Sequence, residues 1–103
     1  MADKIVNPTD IHAAIIFEDG ELKMVVPDII PASPGQSVQW IVVPPNNAKI
    51  SFGIGDSPFD WESNPSDHAR ITGRVQRDAI GEYKYSVSDG KGNVVDPRVQ
   101  IRK

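Results

Sequence analysis

The chain has 103 residues, with 11 Lys and Arg against 14 Asp and Glu and no cysteine. That length allows one ordinary domain, which at this size buries roughly 60–70 % of its unfolded surface and folds around a single modest core. The missing cysteine removes disulfides, thiolate metal ligands and a Cys nucleophile together, and nine Pro and eight Gly scattered along the chain oppose long helices.

Residues 1–10 read as a loose lead-in, punctuated by Asn7 and Pro8. Ile11–Phe17 is a β-branched, apolar run, and Asp19-Gly20 between it and Leu22–Val26 is a hairpin signal. Pro27 holds Val26 extended, and Ile29–Ala32 reads as a short edge strand. Ser33-Pro34-Gly35-Gln36 has Pro and Gly at the central positions of a type II turn. Ser37–Val43 is the clearest strand, with Val38, Trp40 and Val42 on one face at period two. Pro44 and Pro45 stop it. Ile50, Phe52 and Ile54 alternate with Ser51 and Gly53, and a long polar loop then runs from Gly55 to Asp67. Ile71, Gly73 and Val75 alternate with Arg70, Thr72 and Arg74. Tyr83, Tyr85 and Val87 face one way, Asp89-Gly90 gives a second hairpin signal, and Val94–Ile101 closes the chain with a break at Asp96-Pro97. Seven or eight short strands at this spacing read as an antiparallel sandwich or barrel. The expected core is Val38, Trp40, Ile50, Phe52, Ile71, Val75, Tyr83, Tyr85, Val99 and Ile101.

Charge is uneven. Up to Asp67 there are ten acids and three bases; from His68 onward there are four acids and eight bases. A basic half sometimes marks a nucleic-acid face, but here the bases are spread over two strands without interleaved aromatics, and the whole chain is acidic. No nucleic-acid partner is expected. No apolar stretch approaches the roughly 20 residues needed to span a bilayer. No leader is visible at the start, which points to the cytoplasm as the chain stands, or to the periplasm or outside if a leader was removed.

Catalytic patterns are missing: no Gly-x-Ser-x-Gly elbow and no glycine-rich phosphate loop occurs. The loop gathers Asp56, Asp60, Glu62 and Asp67 next to His68. These are hard oxygen ligands, with one imidazole, that calcium or zinc accepts, though at a spacing no common calcium loop uses. A solvated acidic loop is the plainer expectation, with a metal-dependent protein or enzyme as the alternative. The same loop carries Phe59 and Trp61, which either pin it to the core or display a surface for a protein or carbohydrate partner. Arg70 and Arg74 share a strand face beside it. Phe59, Trp61, Arg70 and Arg74 are therefore the candidate partner-binding residues, and sheet faces or edges offer routes to a homo-oligomer.

Three stretches together resemble the cupredoxin family. Pro34–Trp40 is similar to the turn and strand before the first copper ligand, Asn46–Phe52 to the segment carrying the ligand His, and Gly81–Val87 to the strand leading to the ligand Cys. The resemblance implies a two-sheet antiparallel Greek-key sandwich over the single domain 1–103. Gly81–Gly92 also resembles bacterial immunoglobulin-like repeats, which imply the same class of architecture. The family's copper site needs two His, one Cys and a weak axial Met. Here Lys49 stands where the first His is expected, and Val87 or a near neighbour where the Cys is expected. The resemblance thus implies the fold without the electron-transfer chemistry: a copper-free, non-enzymatic binding or structural module with no cofactor.

Overall fold

The computed structural model describes residues 11–53 and 57–102. The expected lead-in at 1–10, Ile54 and Asp56 lie outside them. Among the described residues eleven strands form two packed sheets: β1 (Ile11–Glu18), β2 (Glu21–Val26), β3 (Ile29–Ala32), β4 (Ser37–Val43), β5 (Ala48–Phe52), β6 (Phe59–Trp61), β7 (Ser66–Asp67), β8 (Arg70–Val75), β9 (Gly81–Ser88), β10 (Val94–Val95) and β11 (Arg98–Ile101). The first sheet runs β2-β1-β4-β8-β6. The second runs β3-β11-β9-β5-β7, with β10 paired to β9. No helix among them is long and apolar enough to cross a membrane.

The sandwich is as expected; its strand count and pairing directions differ. Three of the eleven strands, β6, β7 and β10, are two or three residues long, too short to show a period in the sequence. Two pairs are parallel rather than antiparallel: β1 with β4, and β3 with β11. The cause is a crossing. After the β1–β2 hairpin the chain enters the second sheet as β3, then returns as β4 on the free side of β1, pointing the same way.

Local sequence explains the turns. Asp19 and Gly20 both adopt positive φ, 54° and 78°, as a two-residue hairpin between right-twisted strands requires. Gly35 takes φ 87° in the turn that Gln36 N–H closes onto the Ser33 carbonyl at 3.1 Å. Gly73 has a different reason. A methyl group there would come within 3.1 Å of the Phe59 and Trp61 rings, so only hydrogen lets β6 lie so close across β8.

Alternation supplies the core. Ala13, Ile15 and Phe17 of β1, Val38, Trp40 and Val42 of β4, and Ile71 and Val75 of β8 point inward from the first sheet. Ile50, Tyr85, Val87, Val99 and Ile101 meet them from the second. Of the ten expected core residues, eight are buried and two, Phe52 and Tyr83, lie half-buried at its margin. Trp40, at 0 % exposure, stands at the centre. Its indole Nε1–H donates to Tyr85 Oη at 3.0 Å across the gap between the sheets. Its ring meets Phe59 and Tyr85 edge-on at 5.3 and 5.8 Å. Burial raises the Tyr85 phenol above its ordinary range, so the hydroxyl stays neutral.

A second tie joins the hairpin loops of the two sheets. Asp89, buried at the end of β9, accepts from Leu22 N–H of β2 at 3.2 Å, Lys91 N–H at 2.8 Å, Asn93 N–H at 3.2 Å and Asn93 Nδ2 at 2.7 Å. Lys91 Nζ reaches back to the Gly20 carbonyl at 3.1 Å. Burial alone would push the Asp89 carboxyl upward; these donors outweigh it and hold the pKa at about 2, below the ordinary 3.8.

Two predictions follow from these ties. Tyr85→Phe leaves a buried indole N–H without an acceptor and should lose about 1–3 kcal/mol in urea unfolding. Adding Trp40→Phe should lose less than the sum of the two single losses, because the pair shares one bond. For Asp89, the unfolded chain takes up a proton before the folded one does. Stability should therefore hold above about pH 4 and fall as the pH drops toward about 2. Asp89→Asn should melt lower at neutral pH and show a shallower acid decline, read by thermal melts across that window.

Candidate binding face

The outer faces of the two sheets differ in chemistry. On the second sheet the outward positions of β5, β9 and β11 are polar: Lys84 lies opposite Arg98, Glu82 opposite Gln100 and Ser51 opposite Ser86, with Arg98 paired to Glu82 at 3.4 Å. On the first sheet, register places two apolar rows across three strands. Val26, Ala14 and Ile41 form one; Met24, Ile16 and Val43 form the other. Met24 is 50 % exposed, Val26 49 % and Val43 45 %, three of the six most exposed large apolar side chains described. The other three, Ile29, Ile80 and Val94, sit apart on β3, a turn and β10. Strand propensity put β-branched residues here, and among the described residues no layer of the fold covers them.

The face continues into charge. Arg70 pairs with Ile41, and Thr72 and Arg74 follow it outward on β8. Arg74 is held: Nη1 donates to the Gly35 carbonyl at 2.8 Å and Nη2 reaches Glu62 Oε2 at 3.4 Å. Arg70 has no ion-pair partner among the described residues. The expected arginine face therefore exists as geometry, with Arg70 the open member.

The expected loop divides. Residues 59–61 form β6, antiparallel to β8. Phe59 is 3 % exposed and packs on Trp40, which corrects the expectation that it is displayed to a partner. Pairing with β8 points Phe59 and Trp61 inward and Asp60 outward. Trp61 is half-buried, its ring 5.9 Å from Trp40 and 5.4 Å from Phe59. The two rings pin the segment.

The loop carboxylates are likewise engaged. Asp60 accepts from Gln76 Nε2 at 3.2 Å, and Glu62 faces Ser37 Oγ and Arg74. Asp67 caps Ala69 and Arg70 N–H at 3.3 and 3.0 Å; these backbone donors hold its carboxyl below the ordinary value. Asp56 lies outside the described residues. His68 is exposed at the head of β8, at the far end of the face from His12. Among the described residues no three His, Cys, Asp or Glu side chains converge on a metal position, so the calcium or zinc reading of Asp60, Glu62, Asp67 and His68 has no shared geometry behind it.

The position expected for a copper ligand Cys, Val87, is fully buried hydrocarbon on β9, opposite Ile50. Lys49, where the His is expected, is exposed on β5 and pairs with Ser88. An ammonium and an isopropyl group are not copper donors, and no thiolate exists in the chain. The residues present do not fit a type 1 copper ion.

No family model matches the chain, and no curated protein matches it. Solved structures do. A reduced Cu(I) amicyanin variant at pH 4 superposes with a TM-score of 0.59 at 13 % identity, covering 94 % of this chain and 86 % of that one. A second reduced amicyanin variant gives 0.60 at 13 % identity over the same shares. A pseudoazurin from Sinorhizobium gives 0.55 at 18 % identity, covering 91 % of this chain and 74 % of its own. Both are cupredoxins, and at these identities the likeness shows the fold.

The buried ring and the half-buried ring should separate on mutation. Phe59→Ala should lose about 3–5 kcal/mol in denaturant unfolding, the usual result of truncating a buried aromatic. Trp61→Ala, at the margin, should lose less. Equal, negligible losses would return both rings to the list of displayed anchors.

Proposed function

We propose that this cupredoxin-like sandwich is a non-enzymatic binding module that engages a protein partner through the outer face of its first sheet. The double apolar row, Val26-Ala14-Ile41 and Met24-Ile16-Val43, carries the reading. Exposed apolar side chains aligned in register on one sheet are what a protein contact buries. Arg70 beside Ile41 supplies a charged margin.

A protein partner suits the face better than a carbohydrate. Sugar recognition needs aromatic rings free to stack, and Phe59 and Trp61 are turned onto Trp40. In the 57–68 segment Ser63, Glu62 and Asp60 accept from Thr72, Arg74 and Gln76 on and just after β8, which ties the segment to the sheet. Electron transfer through type 1 copper is not part of the reading, because the chain has no thiolate to ligate the metal.

The test compares wild type with Met24→Asp/Val43→Asp. Both substitutions fall at half-exposed positions, so the melting temperature should move little, while retention of partner proteins on immobilised wild type should be lost on the variant. Identical retention by the two would overturn the reading. Copper(II) titration should give no intense band near ~600 nm, the region where a His₂Cys site absorbs.

A further inference from the structure

We infer that the outer face of the first sheet is a two-fold contact between two copies of this chain. The inference rests on the reading of that face as a binding surface and names its occupant.

Shape comes first. The apolar rows lie on the flat face of a five-stranded sheet, whose natural complement is another sheet stacked about 10 Å away. The apolar rows are self-complementary. A two-fold axis lying in the contact and crossing the strands at Ile15 exchanges the rows: Met24 then lies over Val26 of the second copy, Ile16 over Ala14 and Val43 over Ile41. Each contact occurs twice, as a closed dimer requires.

Charge agrees with that axis. The β1–β2 hairpin end of the face carries Glu18, Asp19 and Glu21 against Lys23, which lies 3.7 Å from Glu18, and Lys91, whose Nζ sits on the Gly20 carbonyl. The opposite end of β1 carries His12 and no acid. The same rotation sets Glu18 against His12 of the second copy, acid to donor, rather than acid to acid. An axis along the strands would oppose the two acidic hairpins.

The edge is a poorer route. The β1–β2 pairing shifts register between Ile16 and Phe17, leaving Lys23 as an extra residue on β2. A bulge and a lysine on an edge strand oppose pairing with another strand. Area sets the strength. Strands of 6, 8, 7, 6 and 3 residues, about 4.8 Å apart and rising about 3.3 Å per residue, offer roughly 480 Å² per copy. About 950 Å² in total lies below the range of stable specific interfaces, in the weak and transient class, so the dimer should be reversible and no tighter than micromolar.

Sedimentation velocity from about 1 to 200 µM brackets that range. Wild type should shift from monomer to dimer with rising concentration. Met24→Asp should weaken association about tenfold or more with an unchanged melting temperature. Val43→Ser serves as the milder change should the aspartate perturb folding. Lys84→Glu on the other outer face should dimerise as wild type. His12→Glu should weaken the dimer and Glu18→Lys added to it should restore it, as the two-fold pairing demands. A wild type monomeric at about 200 µM, or a dimer indifferent to Met24→Asp and Val43→Ser, overturns the inference. Monomeric wild type combined with face-dependent retention of another protein would remove self-association and leave the binding reading intact.

Discussion

One hydrogen bond crosses the centre of the sandwich. Trp40 Nε1–H and Tyr85 Oη meet at 3.0 Å where the two sheets face each other and water is excluded. Both groups would be left without partners if the sheets slid by one residue, so the bond rewards a single stacking of β4 on β9. The aromatic rings follow from it. Phe59 and Trp61 lie on the Trp40 side, and Phe52 stacks on Tyr85 at 5.2 Å. The bare backbone of Gly73 makes room for β6, and β6 in turn converts an acidic stretch into a sheet edge. Hydrophobic area supplies most of the driving force, while the one polar pair inside it selects the arrangement.

The same arrangement accounts for the apolar rows on the outer face. Inward positions of β1, β2 and β4 satisfy the core, and alternation, interrupted only by the bulge at Lys23, sends Ala14, Ile16, Met24, Val26, Ile41 and Val43 to the other side. A sandwich needs only one apolar face per sheet. An apolar second face is excess as far as stability goes, which is why it bears on function. The fold resembles that of copper proteins, yet the buried Val87 and the exposed Lys49 leave the expected ligand positions without donors.

Much of the fold was legible in the residues because their signals are local. Asp19-Gly20 and Pro34-Gly35 dictate their turns through φ, and Val38-Trp40-Val42 and Ile71-Gly73-Val75 show their inward faces by period two. What depends on distant partners was not legible. Parallel pairing of β1 with β4 leaves no mark in either strand, since alternation is the same in both directions. Phe59-Asp60-Trp61 is too short to show alternation and lies between Pro58 and Pro65, so it reads as loop until β8 is seen beside it. Asp89 reads as a turn residue; its burial depends on Leu22 N–H, 67 positions away in sequence. The candidate face was half visible. Arg70 and Arg74 lie on it as expected, but the apolar rows emerge only once register aligns three strands, two of them separated by the excursion into the other sheet.

The claim on which the rest depends is that the Trp40–Tyr85 bond sits in a dry, cooperatively packed centre. Hydrogen exchange of the Trp40 indole N–H, followed by NMR, tests it most directly. The bond should break only when the domain unfolds, so the exchange free energy should equal the global unfolding free energy from denaturant melts. Exchange through local opening, at a free energy well below the global value, would contradict the account.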